Sequence, residues 1–340
     1  MSSTWLITGA QGFIGRYVTT AVLNSCGGLR VAGVGRSERL TDSFCHSISG
    51  PDGVFPAPLP DEIRVAFNDK RYSYFKADIL DRARIKSLLS ELRPDVIVHL
   101  ASGLRGDARV MLFETNVEGT ARLLEAAGAV QDYQPLVLLG SSGGVYGDVP
   151  ADRLPLEESM ACDPVDEYSV SKLAAEQVAR LLARRFGLRL RIARIFNVIG
   201  PGQDERHAAG RIAAELKRVQ TGRQEYLSIG SLTPTRDFID VRDAASALCR
   251  LAVPNMPDGV YNVGSGAETS VHELLAAFIR ESGLDVAIRH SEPRKFDIPR
   301  HFADIGRLRK FGYRSRFSLI QSVESVWNYY EGSWSVPGSC

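Results

Sequence analysis

Short apolar runs alternate with longer amphipathic stretches through the first two-thirds of this chain, the pattern of buried strands linked by helices into a mostly parallel sheet. Strands are expected at 5–8, 30–34, 72–76, 96–100, 136–140 and 190–195, with helices around 13–26, 81–92, 108–130 and 165–186. The stretch from 37 to about 61 breaks the alternation. Ser49-Gly50-Pro51-Asp52-Gly53, followed by Pro56, Pro58 and Pro60, predicts a surface loop beside the second strand. After Gly200-Pro201-Gly202 the elements shorten, with helices near 207–221, 241–252, 270–282 and 318–331. The expected architecture is α/β: a doubly wound parallel sheet over 1–196 plus about 236–258, and a smaller mixed α/β substrate lobe from 197–235 and 259–332. Residues 333–340 read as a loose tail.

Composition narrows the function classes. The chain has 340 residues, 44% of them apolar and 24% charged, enough for a large core. Its 41 basic and 40 acidic side chains leave a formal charge of +1, so neither nucleic acid nor an anionic membrane is expected as a partner. Five scattered cysteines, Cys26, Cys45, Cys162, Cys249 and Cys340, form no Cys-x-x-Cys pair. That fits a reducing compartment and argues against structural zinc. The start passes directly into the strand-like Trp5-Leu6-Ile7-Thr8, which predicts no signal peptide, and the expected location is the cytoplasm.

Thr8-Gly9-Ala10-Gln11-Gly12-Phe13-Ile14-Gly15 follows the first strand and opens the first helix. Three glycines there let a dinucleotide pyrophosphate approach the helix N-terminus, with Phe13 and Ile14 in the same turn, so the sheet reads as Rossmann-type. Past the second strand, where a chain selecting NAD usually places an acid, Gly35-Arg36-Ser37 presents a cation. Arg36, with Arg39 in support, suits a 2′-phosphate and hence NADP(H). The alternatives are NAD(H), with both arginines as solvated loop charges.

Tyr168 and Lys172 lie four apart, on one face of an expected helix. A neighbouring positive charge favours the phenolate form of a tyrosine, making it a proton carrier. The fifth strand ends in Gly140-Ser141-Ser142-Gly143-Gly144, which brings hydroxyls to the carboxyl edge of the sheet, where Ser142 can meet Tyr168.

With these features the chain resembles the extended short-chain dehydrogenase/reductase family, the nucleotide-sugar epimerases, dehydratases and reductases, over residues 6 to about 330. The matching motifs, in order, include the glycine loop, Ala77-Asp78-Ile79, His99-Leu100-Ala101 and Asn116-Val117-Glu118-Gly119-Thr120. They continue with Ser142, Tyr168 and Lys172, Asn197-Val198-Ile199-Gly200-Pro201, and Arg236-Asp237-Phe238-Ile239-Asp240-Val241. The resemblance implies Asp78 and Ile79 near adenine, Leu100, Ala101 and Asn116 along the cofactor, and Lys172 against the nicotinamide ribose. His99 reads as a packed strand-end residue, and no metal site is expected. The resemblance further implies that Tyr168 exchanges a proton with the sugar oxygen at C4 while hydride moves between that carbon and nicotinamide. Ser142 would hold the same oxygen, and Lys172 would lower the tyrosine pKa. Asn197, Arg236 and Arg294 would grip a nucleotide-diphosphate sugar, and a homodimer through helices 108–130 and 165–186 is implied.

Family dehydratases carry an acidic pair after the catalytic Ser/Thr, where this chain has Gly143 and Gly144. Dehydration would then depend on Asp107 or Asp148 approaching from a neighbouring loop, and ranks third. Reduction and 4-epimerisation remain. Arg36 favours an NADPH-consuming reductase, and Asn197 to Gln203 with Tyr261-Asn262-Val263-Gly264-Ser265-Gly266 look most like the reductases that form GDP-rhamnose from GDP-4-keto-6-deoxymannose. A non-enzymatic NADP(H)-sensing scaffold is the remaining alternative, and the intact Ser142, Tyr168 and Lys172 count against it.

Overall fold

A computed structural model describes residues 3–25, 28–38, 41–290 and 298–335. Among the described residues the central sheet has seven strands: β1 (Thr4–Thr8), β2 (Arg30–Gly35), β3 (Tyr72–Lys76), β4 (Val96–His99), β5 (Leu136–Ser142), β6 (Arg189–Ile195) and β7 (Gly259–Val263). They run in the order β7-β6-β5-β4-β1-β2-β3, every neighbouring pair parallel. The first six fall where the alternation placed them. Both faces are covered, so the strands are apolar on both sides. Ile7, Val98, Leu138 and Ala193 enter one core while Leu6, Ile97, Val137 and Ile192 enter the other. α1 (Phe13–Ser25) packs on the helix Val241–Arg250, whereas α2 (Arg82–Leu92), α3 (Gly119–Gly128) and α4 (Glu167–Phe186) pack in sequence on one another. The chain winds outward from β1 in both directions, so the crevice for a ligand opens at the carboxyl ends of β1 and β4.

The expected helix at 108–130 is present in three joined pieces: Arg109–Phe113, a π-helical turn Glu114–Glu118, and α3. The stretch from 37 to 61 differs from expectation. Ser43–Gly50 and Gly53–Pro58 form an antiparallel hairpin, and Asp61–Phe67 is a helix whose first turn carries Asp61 and Glu62. The punctuating residues are its turn, with Gly53 at φ +125°. Pro56 and Pro58 are tolerated because a two-stranded ribbon is all edge. The hairpin bridges the molecule. Phe44 packs 6.0 Å from Phe13, Ser49 Oγ donates to Glu205 at 3.0 Å, and Tyr329 donates to the Pro58 carbonyl at 2.9 Å.

Two further corrections concern the second lobe. The segment Tyr261-Asn262-Val263, assigned above to that lobe, lies in β7 and pairs with β6 in the main sheet. The last helix, Leu319–Ser335, continues into the stretch read as a tail. The lobe itself is built of small pieces. Asn197–Ile199 pairs with Phe238–Asp240, Tyr226–Ile229 pairs with Ala287–His290, and Thr235–Arg236 lies between Thr269–Ser270 and Arg300–His301. Asp237 joins them: its buried carboxylate accepts from Ser265 N (2.7 Å), Ser265 Oγ (2.8 Å), Gly266 N (2.9 Å) and Ala303 N (3.3 Å). A Cβ on Gly264 would sit 2.6 Å from the same carboxylate. The Arg236-Asp237 and Gly264-Ser265-Gly266 motifs are therefore two sides of one lock. No helix among the described residues is long and apolar enough to cross a membrane.

Candidate active site

The turn between β1 and α1 is closed by backbone proximity. Gly9 has φ +68°, and a Cβ there would lie 2.8 Å from the backbone of Leu100 and Ala101; one on Gly15 would lie 2.2 Å from the Gly9 carbonyl. Only glycine admits this approach of β4 to the start of α1, and it leaves α1's first N–H groups facing the crevice, as a pyrophosphate requires. Thr8 Oγ1 accepts from Leu100 N and Ala101 N, both at 3.2 Å, and lies 2.7 Å from His99 Nδ1. His99 Nε2 lies 3.1 Å from Thr120 Oγ1. Burial pushes its pKa down to about 3, consistent with a packed, neutral ring. Among the described residues no cluster of three or more His, Cys, Asp or Glu could hold a metal ion.

The π-turn points Asn116 inward. Its Oδ1 accepts from Ser102 Oγ and Gly103 N, both at 2.9 Å, and its Nδ2 donates to Ser171 Oγ at 2.8 Å. Asn116 thus ties the loop after β4 to α4. Arg36 is exposed immediately past β2, and Arg39 lies outside the described residues. Asp78, exposed past β3, accepts from Leu80 N at 2.9 Å, while Ile79 is buried beneath Gly119. The glycine turn leaves the close backbone approach that a dinucleotide pyrophosphate needs.

Ser142 ends β5 and caps the short turn Gly143–Tyr146, its Oγ accepting from Gly144 N at 3.1 Å. α4 begins opposite: Asp166 caps it by accepting from Ser169 N at 2.9 Å, so Tyr168 sits in its first turn. One turn on, the buried Lys172 donates from Nζ to the Gly140 carbonyl at 3.0 Å and lies 5.7 Å from the Tyr168 ring centre. The structure brings the three expected side chains together. Burial pushes the Tyr168 phenol up to about 12 and the Lys172 ammonium down to about 8, the latter opposed by Glu176. For Tyr168 the foremost opposing influence is the positive charge of Arg105, with contributions from the Ser142 and Ser102 hydroxyls. Lys172, to which the resemblance gives that role, stands beside the same ring. Behind the lysine, Glu176 is held by Arg194 through bonds of 3.0 and 2.9 Å and by Ser141 Oγ at 2.6 Å.

The second lobe meets this edge through His301, whose Nε2 lies 3.1 Å from the Gly143 carbonyl and whose ring is 5.1 Å from Phe196. Arg236 is its cross-strand neighbour and donates to the carbonyls of Thr235 and Ile298, each at 2.7 Å. Asn197 is exposed at the lobe junction and bonds the Asp237 carbonyl from N (3.1 Å) and Nδ2 (3.2 Å). Arg294 lies outside the described residues. Arg105, Ser102, Asp166 and His301 were missed from sequence. Only Asp166 had left a signal there, as a helix-capping residue just ahead of the Tyr168 helix.

A doubly wound parallel sheet with a glycine cradle at its switch point, and a second lobe closing over the adjoining edge, is the architecture of a dinucleotide-dependent oxidoreductase. More specifically, the chain belongs to the NAD dependent epimerase/dehydratase family, whose model matches residues 5–264. It is 33% identical over 264 residues to the GDP-6-deoxy-D-mannose reductase of Pseudomonas aeruginosa, covering 75% of this chain and 86% of that protein. It is 30% identical over 330 residues to a UDP-glucose 4-epimerase of Mycolicibacterium smegmatis, covering 96% and 97%. Among solved structures, RMD from Pseudomonas aeruginosa complexed with NADPH superposes with a TM-score of 0.78 at 26% identity, covering 98% of this chain and 100% of that one. The protein is an NAD(P)-dependent enzyme of nucleotide-sugar metabolism.

Proposed function

We propose that this enzyme uses NADPH to reduce the C4 ketone of a GDP-linked 4-keto-6-deoxyhexose. Tyr168 gives its phenolic proton to the C4 oxygen, Ser142 hydrogen-bonds the same oxygen, and Lys172 braces the site from α4. Bound nicotinamide supplies the hydride. Gly9, Gly12, Phe13, Ile14 and Gly15 hold the pyrophosphate, and Arg36 takes the 2′-phosphate. Asp78 and Ile79 border adenine, with Leu100, Ala101 and Asn116 along the remainder. Asn197, Arg236 and Arg294 grip the nucleotide diphosphate of the substrate.

The observation that carries this reading is the glycine pair beside Ser142. A Cβ on Gly143 would meet the Phe196 ring at 3.0–3.1 Å, and one on Gly144 would meet Ser169 Oγ at 2.5 Å. A side chain at either position would crowd its neighbour, and the glycines present carry no group that moves a proton, so the acid and base that dehydration needs are missing there. Asp107 is committed to its own loop, accepting from Leu104 N at 2.7 Å. Tyr168 is left as the proton carrier, sufficient for adding hydride and proton across one C=O. Arg36 favours NADPH and hence net reduction. A 4-epimerase is the second reading, supported by a relative of that name that matches nearly the whole chain.

A panel of nucleotide-linked 4-keto sugars tests the choice. NADPH oxidation with the GDP-linked ketone is expected; interconversion of unreduced sugars without net oxidation would transfer the reading to epimerisation. We place the enzyme in the cytoplasm as a homodimer. Val110 and Met111, ahead of α3, and Val170 and Leu181 of α4 are exposed apolar residues that a second copy would cover, and light scattering at the monomer mass would refute this.

A further inference from the structure

We propose that Arg105 is a positioning residue for proton transfer: anchored by Asp166, it adds to Lys172 a second positive charge beside the Tyr168 phenol. The inference rests on Tyr168 being the proton carrier. Two cations stand near that ring, Lys172 Nζ at 5.7 Å and Arg105 Cζ at 5.8 Å from its centre. Their commitments differ. Lys172 is 7% exposed, bonds a strand carbonyl and sits beside Glu176. The Arg105 side chain is 55% exposed and pairs with Asp166 Oδ2 at 2.8 Å.

Asp166 is also the cap of α4. One carboxylate therefore starts the helix that carries Tyr168 and fixes the guanidinium beside its ring, so the charge is indexed to the phenol and not to the loop. The loop is itself tethered: Gly103 N donates to Asn116, Leu104 N donates to Asp107, and Gly106 turns at φ +98°.

The charged groups around the phenol are Arg105 from the loop after β4, and Asp166 and Lys172 from α4; Lys172 in turn faces Glu176 and His99. Burial raises the Tyr168 pKa most, Arg105 is the first group to oppose it, and Asp166 partly offsets that. Burial lowers the pKa of His207 and of His301 most, and the Arg105 charge adds a smaller push in the same direction to each. An opposite charge at such a distance moves a pKa by about 1–3 units; exposure and the Asp166 carboxylate put Arg105 at the low end, about one unit.

The test is a titration that does not depend on turnover. The enzyme is labelled with fluorotyrosine, which lowers phenol pKa values into a range the fold survives, and followed by fluorine NMR, with the Tyr168 signal identified by its loss in Tyr168→Phe. Arg105→Met should raise the Tyr168 midpoint by about one pH unit, and Arg105→Lys should restore most of the difference. In parallel, the alkaline limb of kcat for ketone reduction should move up by the same interval. At neutral pH kcat should fall by no more than roughly tenfold, with KM for NADPH and sugar nearly unchanged. An unmoved midpoint, or a rise in KM alone that would make Arg105 a ligand clamp, overturns the proposal. Normal turnover by Tyr168→Phe would instead sink the proton-carrier reading while leaving the titration shift in place.

Discussion

On the cofactor side the functional groups ride on a parallel ladder: Thr8, His99 and Ser142 end adjacent or near-adjacent strands, and the backbone contact of Gly9 with Leu100 fixes the crevice between them. On the substrate side, Asn197, Arg236 and His301 sit on strands of two or three residues, held to the rest largely by the carboxylate of Asp237. The first region is redundant, since many interstrand bonds and two cores share its geometry. The second hangs on single polar groups. Chemistry is therefore the vulnerable property of the first region, and folding that of the second.

Tyr168→Phe should give the largest effect, a loss of about 10²–10⁴-fold in kcat with thermal stability and NADPH affinity nearly intact. A simultaneous collapse of stability would contradict the redundancy claimed for the cofactor side. Next is Asp237→Ala, which strands one buried and two half-buried N–H groups and should cost about 3 kcal/mol in urea denaturation. It should weaken sugar binding far more than NADPH binding, and equal losses would erase the contrast between the regions. Arg36→Asp tests the rim of the cradle, where an exposed ion contact is worth less. NADPH affinity should fall about tenfold relative to NADH, measured by fluorescence titration, and parallel changes in both would remove the 2′-phosphate role.

The smallest effect is a slope. Burial holds His301 at about 4, below its ordinary 6.5, with Arg236 acting in the same direction. A group depressed in the folded state takes up protons first when the chain unfolds, so its stabilisation is complete above pH 6.5 and is lost as pH falls toward 4. His301→Gln keeps a donor for the Gly143 carbonyl without titrating, so the urea midpoint should change less between pH 7 and pH 5 than in the parent. Identical slopes would show that other groups govern acid stability.

What could be read from sequence follows the same division. A buried parallel strand announces itself as an apolar run, and Gly9, Gly12 and Gly15 announce a close approach, so the sheet, the cradle and the Ser142, Tyr168 and Lys172 grouping were visible before any coordinates. The hairpin was not, because Pro56 and Pro58 are strand-compatible only on an edge and sequence does not say which strands are edges. β7 was not read as a strand: Tyr261-Asn262-Val263 entered only within a motif of the second lobe, and nothing local to it states which sheet it joins. Arg105 carries no periodic signal, and its significance depends on a partner, Asp166, brought to it by the fold. Asp237 was noticed within a motif, but its four donors come from segments far along the chain.

The π-turn at Glu114–Glu118 acts as a gear tooth. A regular α-helix advances about 100° per residue, so removing one residue here would leave a good helix, an intact core and a tolerable sequence pattern while rotating Asn116 away from Ser102 and Ser171 by roughly that angle. The loop that presents Arg105 would lose one of its ties to α4 at the same stroke, keeping the Arg105–Asp166 pair. In this segment the number of residues matters more than their identity, and a deletion would be silent to circular dichroism yet fatal to alignment of the site.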